Sequence, residues 1–585
     1  MRLFKTFAVS LLGAIAAVFG LTSTASSQAA STTVVVFPTP GDRYETPQTQ
    51  IVFRGVPVSD LGAITVTGSR SGPHSGRIEA DSDGQGASFL PARPFLPRET
   101  VTVRTSLNIV GGRHGSFSFQ IAKPGPIPAP QKIIRAPGRD VLQRFHSAPT
   151  LAPAKVVVTR NAAPVSDGDI FVTPQAGPSQ NGAMIFSPNG QLVWWLGFPI
   201  ASRAFVTDLR VQRLAGQPVL TYWVGQVANG NGRGEGVIDN QRYQRIATVR
   251  AGNGLSADLH EFLVTNSGDA WIISALPVIL PSRDRPVMDS VIQEVDIRTG
   301  LVLYQWNALD HINASNSYTY GIHAPGFVLD PYHLNSISFA ANGDPVVSMR
   351  NMDAMYEINR RNGRIVWELG GRHSSFTMGA GTRTAFQHDA VVEPNGDLTI
   401  FDDGAGPPVV HAASRGIEVR LDERTHRATL VRQVVHSPNL LAYFEGSVQE
   451  LPQGRLFLGW GQQSYFTEFS AKGKQIYDAH LAVSGGSYRA YRQSWTAQPF
   501  TKPALATGTR RGRTILWASW NGATTVAQWR VLSGSSSTHL TPIGRYRKTG
   551  FETALTTTAH APYVEVQALD ARGKVLAGSQ VERVR

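Results

Sequence analysis

The chain of 585 residues contains no cysteine. That excludes a disulfide framework, a thiolate zinc site and a cysteine nucleophile, so packing alone must supply stability. Charge is sparse as well: Asp, Glu, Lys and Arg make up 17%, and the formal net charge of +13 is spread along the sequence without Lys/Arg runs. An evenly basic surface of this kind gives no footprint for nucleic acid, although it would draw small anions by steering. Beyond the N-terminus no stretch approaches the roughly 20 apolar residues that span a bilayer, so no membrane span is expected.

Turn chemistry is what the sequence has in quantity. Its 57 glycines and 36 prolines punctuate short alternating runs such as TTVVVF, LVWW and EVQALDA, the pattern of strands joined by tight turns, and an all-β chain is predicted. Arg2 and Lys5, an apolar run from Phe7 to about Leu21 and small residues up to Ala29 predict a secretory signal peptide over 1–29, and with it a secreted or periplasmic location. Residues 30–122 read as a β-sandwich and 123–154, opening with KPGPIPAPQK, as a Pro-rich linker. Residues 155–503 form a repeating unit. Residues 504–585 read as a second sandwich of immunoglobulin or fibronectin type.

Within 155–503, hairpin glycines fall at Gly168, Gly216, Gly268, Gly343, Gly396 and Gly454, at steps of 48, 52, 75, 53 and 58 residues. Six copies of about 50 residues predict a six-bladed β-propeller. Phrases such as MIFSPNGQLVWW, YEINRRNGRIVWEL and TEFSAKGKQIYDA give the outer hairpins, and the long step reflects an insertion over 307–331. Such a loop usually covers a site.

Three copies read LHEFLVTNSGDAW, YHLNSISFAANGDPVV and QHDAVVEPNGDLTIF. Counting eight residues back from each hairpin glycine gives Arg160, Asp208, His260, Asn335, His388 and Gly446 around the ring. Inner strands line a propeller's channel, so these groups are expected to converge there, with His333 two residues before Asn335 on the same face. Arg350, in VVSMRN, and Asp402 with Asp403, in IFDDG, occupy the returning strands. His311, His323, His373, His411, His426 and His436 fall outside this register.

Three histidines, an asparagine and an arginine without a clear carboxylate pair suit group transfer. A neutral imidazole attacks a sulfuryl or phosphoryl centre, Arg and Asn hold its oxygens, and a second histidine moves the proton. No cofactor is required. A metal on His260, His333 and His388 is an alternative of a different class. A non-catalytic propeller binding glycans or proteins is another.

The phrases DLHEF, YHLNS with SMRN and NGRIVWELGG, FQHDA with FDDG, and SRGIEVRLDE resemble the bacterial arylsulfate sulfotransferases, exported propeller enzymes that move sulfate between phenols without a nucleotide donor. SWNGAT and GFET look like the appended domain of a related branch. The resemblance implies that His388 is the transiently sulfurylated nucleophile, that His260 is the acid and base toward the phenolic oxygen, and that His333, Asn335 and Arg350 hold the sulfuryl oxygens. It implies aryl sulfates and phenols as small-molecule partners. A homo-oligomer is compatible with the chain. The missing cysteines are a departure, because better known members carry a disulfide near the site.

Overall fold

A computed structural model of the protein describes residues 33–132, 141–164, 167–175, 177–178, 180–281, 285–322, 328–483, 485–510, 513–557 and 561–584. The expected signal peptide and His323 lie outside the described residues. All six hairpin glycines take positive φ, between 69° and 107°. At these turns the backbone enters a region that a side chain would penalise, which is why the glycine spacing carried the repeat.

Six four-stranded units follow one another around an axis. Blade 2 is built from Phe205–Leu214, Gln217–Ala228, Asn231–Asp239 and Arg245–Val249, and blade 3 from Ala257–Val264, Asp269–Val278, Val287–Asp296 and Val302–Asn307. Blade 4 takes Leu334–Phe339, Pro345–Met349, Ala354–Ile358 and Ile365–Gly370, and blade 5 His388–Val392, Leu398–Asp402, Arg415–Asp422 and Arg427–Val435. The ring is closed twice over. Blade 1 receives its inner strand, Ser487–Gln493, from the far end of the propeller, where Phe171 pairs with Tyr491. Blade 6, built from Ser447–Leu451, Arg455–Gly459, Tyr465–Phe469 and Gln475–Leu481, gains Val156–Asn161 as an outer fifth strand, with Val157 opposite His480. Each inner strand packs against the next until the strand at 487–493 meets the one at 205–214.

Apolar cores lie between neighbouring blades, as strands buried on both faces require. Trp271, Tyr304, Tyr332 and Tyr356 fill the cleft between blades 3 and 4, and Phe457, Phe466, Tyr477 and Trp195 that between blades 6 and 1. At about 1.5–3 kcal/mol for each large side chain withdrawn from water, these clefts hold the ring without disulfides.

Both sandwiches dock on the propeller. The N-terminal one inserts Phe37 into the cleft of blades 3 and 4, and its Gln50 Nε2 donates to Val302 O at 2.8 Å. The Pro-rich segment is pinned along blades 2 and 3, with Gly125 N donating to Pro277 O at 2.7 Å and Gln131 N to Val227 O at 2.8 Å. In the C-terminal sandwich, Asn521 of SWNGAT mimics a strand: its Oδ1 accepts from Trp195 N at 3.0 Å and its Nδ2 donates to Trp195 O at 2.9 Å. That satisfies the edge of blade 1's outer strand, Leu192–Phe198, which would otherwise offer unpaired groups.

Candidate active site at the propeller axis

Asp208, His260, Asn335 and His388 lie near the starts of the inner strands, as the glycine count predicts. Arg160 does not. It lies in the outermost strand of blade 6, and the inner place in blade 1 is filled by the strand carrying Tyr488 and Arg489. The count failed there because it ran forward along the chain, whereas this blade is completed from behind. Strict alternation fails too: the inner strands of blades 2 to 5 are interrupted by register shifts, and Asp208, His333 and Asp389 adopt φ of 56°, 52° and 50°. Bulges, rather than the two-residue period, aim these side chains.

Each of the three histidines has a carboxylate on Nδ1. His260 Nδ1 makes a short hydrogen bond to Asp258, whose other oxygen accepts from Gly232 N. His333 Nδ1 lies 2.6 Å from Asp330, which also accepts from Asn231 Nδ2 at 3.1 Å. His388 Nδ1 lies 2.7 Å from Asp403 and 2.9 Å from Phe386 O. The rings of His260 and His333 meet edge to face at 4.8 Å. Asp258 and Asp330 stand two and three residues before their histidines, a local signal that the search for paired catalytic carboxylates passed over. Asp402, by contrast, anchors backbone, accepting from Ala385 N at 3.0 Å and Gly404 N at 3.1 Å while Arg415 Nε donates to it at 2.8 Å.

The tautomer of His388 follows from its neighbours. Phe386 O can only accept, so Nδ1 carries the proton, and Glu445 N donates to Nε2 at 3.2 Å, so Nε2 carries a lone pair. Burial, then the charges of Arg350, His260, His333 and Arg489, push its pKa well below the ordinary histidine value. His388 is therefore a neutral imidazole at neutral pH. Burial also lowers His333, against the pull of Asp330.

Arg350 opens the single turn Arg350–Met352 directly after a blade 4 strand. Its guanidinium lies 3.5 Å from the Phe386 ring centroid and donates to Asn351 Oδ1 at 2.7 Å and Tyr443 O at 2.9 Å, while its buried Nε has no partner. Among the described residues no carboxylate pairs with it. Burial lowers its pKa to about 10, with Asp403, Asp330 and Asp353 acting the other way, so it stays cationic at neutral pH. Asn335 is fully buried: Nδ2 donates to Gln387 O at 2.8 Å and Oδ1 is unpartnered.

Below the histidines, Arg489 closes the axis. It reaches Glu261 at 3.0 Å, Asp208 at 3.2 Å, Asp389 at 3.2 Å and Asn335 O at 3.0 Å, and Arg210 joins Asp208 and Glu261. Burial raises Asp208 to about 6, with Arg210 and Arg489 opposing. Arg489 carried no sequence signal, since GSYRAY lies outside the glycine repeat.

Three of the described histidines outside the register serve locally. His311 stacks on Trp306 at 5.0 Å, His436, just after blade 5, pairs with Asp478 of blade 6 at 3.0 Å, and His411 contacts Asp402 at 3.2 Å. Among the described residues no group of three or more His, Asp or Glu side chains is arranged to hold a metal ion, the alternative considered for the histidine cluster.

Residues 210–482 match the family model Arylsulfotransferase (ASST), a stretch running from the inner strand of blade 2 through blade 6. No curated protein matches the chain. Among solved structures, similarity extends to a Bacteroides caccae protein of unknown function (13% identity, 55% of this chain and 98% of that one, TM-score 0.35). It extends also to a catalytically inactive virginiamycin B lyase from Staphylococcus aureus (8% identity, 63% and 97%, TM-score 0.28).

Proposed function

We propose, from the match of residues 210–482 to the arylsulfotransferase family model, that the protein transfers a sulfuryl group from an aryl sulfate to a phenol by a ping-pong route through His388. The observation that carries the reading is an unprotonated Nε2 on a neutral His388 beside Arg350, a cation that pairs with no carboxylate among the described residues. A half-buried guanidinium whose buried Nε has no partner gains from an anion that completes it.

In the first half-reaction Nε2 gives up its hydrogen bond from Glu445 N and attacks sulfur, the bond from sulfur to the aryl oxygen breaks, and its electron pair leaves on the phenolate, which takes a proton from His260. Asp403 and Phe386 O receive the Nδ1–H bond and stabilise the positive charge that develops on the ring. Arg350, His333 and Asn335 hold the sulfuryl oxygens as their charge grows. In the second half His260 removes the acceptor's proton, the phenolate attacks sulfur, and the bond from nitrogen to sulfur breaks. Asp258 and Asp330 keep the rings of His260 and His333 in place by the same device that orients metal-bound and triad histidines. We assign the reaction to an exported protein, on the strength of the N-terminal signal.

Brief exposure to 4-nitrophenyl sulfate followed by peptide mass spectrometry tests the reading. One SO3 group on the His388 peptide, removed by added phenol, is the expected result. Release of 4-nitrophenol undiminished in His388→Asn would overturn it.

A further inference from the structure

Between the last strand of blade 5 and the first of blade 6, the segment Tyr443–Phe444–Glu445 touches both candidate catalytic groups through its backbone. Tyr443 O accepts from Arg350 at 2.9 Å, and Glu445 N donates to His388 Nε2 at 3.2 Å. The rest of the backbone is pinned as well. Tyr443 N donates to Gln462 Oε1 at 3.0 Å, Gln462 N donates to Phe444 O at 3.2 Å, and Gly446 N donates to Tyr488 O at 3.0 Å. Glu445 sits at φ 69°, a left-handed conformation that a side chain adopts only when its surroundings impose it. The segment is thus held rigidly against Arg350 and His388.

Its two aromatic side chains are not buried in return. Tyr443 is 50% exposed and Phe444 43%. One exposed aromatic is ordinary on a protein surface, but two in succession on a fixed backbone, one residue from the contact to the nucleophile, call for a partner. Flat, rigid rings presented at low entropic cost are what an aromatic ligand needs for stacking. The cation of Arg350 already rests on the ring of Phe386, so an aromatic face is part of the site one contact from this segment.

We infer that Tyr443 and Phe444 form the aryl-recognition lip of the site: the anionic group is held by Arg350 and the aromatic ring of donor or acceptor stacks on these two side chains. The inference rests on the transfer reading above and assigns its preference for aromatic over aliphatic substrates to two residues outside the histidine cluster. Because the lip contacts the ring and not the reacting sulfur, it contributes to binding in ground and transition states alike, and should act on KM more than on kcat.

The test is steady-state transfer from 4-nitrophenyl sulfate to phenol by the full chain, comparing wild type with Tyr443→Ala/Phe444→Ala and with Tyr443→Phe/Phe444→Tyr. The expected result is a KM raised about tenfold for donor and acceptor with kcat within about twofold in the alanine variant, and wild-type constants in the aromatic exchange. Unchanged KM values in the alanine variant, or a kcat loss at constant KM, would overturn the lip. If the alanine variant melts early, Tyr443→Leu and Phe444→Leu carry the same comparison. Should wild type release no 4-nitrophenol, the transfer reading fails separately. Equilibrium dialysis of 4-nitrophenyl sulfate then still decides the lip, by about tenfold weaker binding or none.

Discussion

Two arginines at the propeller axis, Arg489 buried and Arg350 half-buried, live in opposite electrostatic surroundings. Arg489, in the floor, is ringed by Glu261, Asp208 and Asp389, and against the cost of burial Glu261, Tyr491, Asp389 and Tyr488 raise its pKa well above the ordinary value. Arg350, at the level of the histidines, has only neutral acceptors and the face of Phe386. A cation whose charge is already answered holds strands together; one left unanswered is available to a ligand. The two therefore should separate stability from activity.

His388→Asn is expected to have the largest effect, reducing sulfuryl transfer to background while the melting temperature stays within a few degrees of wild type. Next comes the arginine pair itself. Arg489→Leu leaves Asp389 without a cation and Asp208 and Glu261 with Arg210 alone, and should cost about 3–5 kcal/mol in denaturant unfolding, whereas Arg350→Ala should cost under about 1 kcal/mol yet lower kcat by about 10²–10³-fold. Equal stability losses in the two variants would end the distinction. Asp403→Asn should lower kcat about 10–100-fold, less than loss of His388, because Phe386 O still fixes the tautomer.

A smaller effect separates floor from mouth by pH. Burial holds the Asp208 carboxyl at about 6 in the fold, while an unfolded chain releases that proton near 3.9. Stability from this group is complete below that lower value, is lost as pH rises through the interval, and levels off above about 6. His388 runs the other way: its depressed pKa means the fold resists protonation, so stability falls as pH drops below about 6.5. Melting curves from pH 4 to 8 should flatten at the acidic side in His388→Asn and between pH 4 and 6 in Asp208→Asn. A profile insensitive to both would contradict the assignment of these groups.

Much of this was legible in the sequence because it is local. A turn glycine with positive φ repeats every 50 residues or so, and the histidines stand at a fixed distance from it. Asp258 and Asp330 were within reach of the same reasoning, two and three residues from their histidines. Arg489 was not, nor was the displacement of Arg160 to the outside of blade 6. Both follow from strand pairings across more than 300 residues, Val157 with His480 and Phe171 with Tyr491, and no periodicity in the chain announces such a partner. Likewise the bulges that re-aim Asp208 and His333 have no motif, since each is an answer to packing around the axis.

The double closure of the ring has a consequence for the order of events during synthesis. The strands at 169–198 are made early, but the inner strand that completes their sheet is not made until residues 487–493 leave the ribosome. Until then the first blade presents an open edge toward the axis, and the strand at 156–161 waits for its partner at 475–481. The four strands of each of blades 2 to 6 are consecutive and can form as they emerge, whereas blade 1 alone must wait for its inner strand, a closure across more than 300 residues. A chain stopped short of residue 487 would thus keep five inner strands, those of His260 and His388 among them, but would leave the floor carboxylates without Arg489, which arrives only with the strand that shuts the ring.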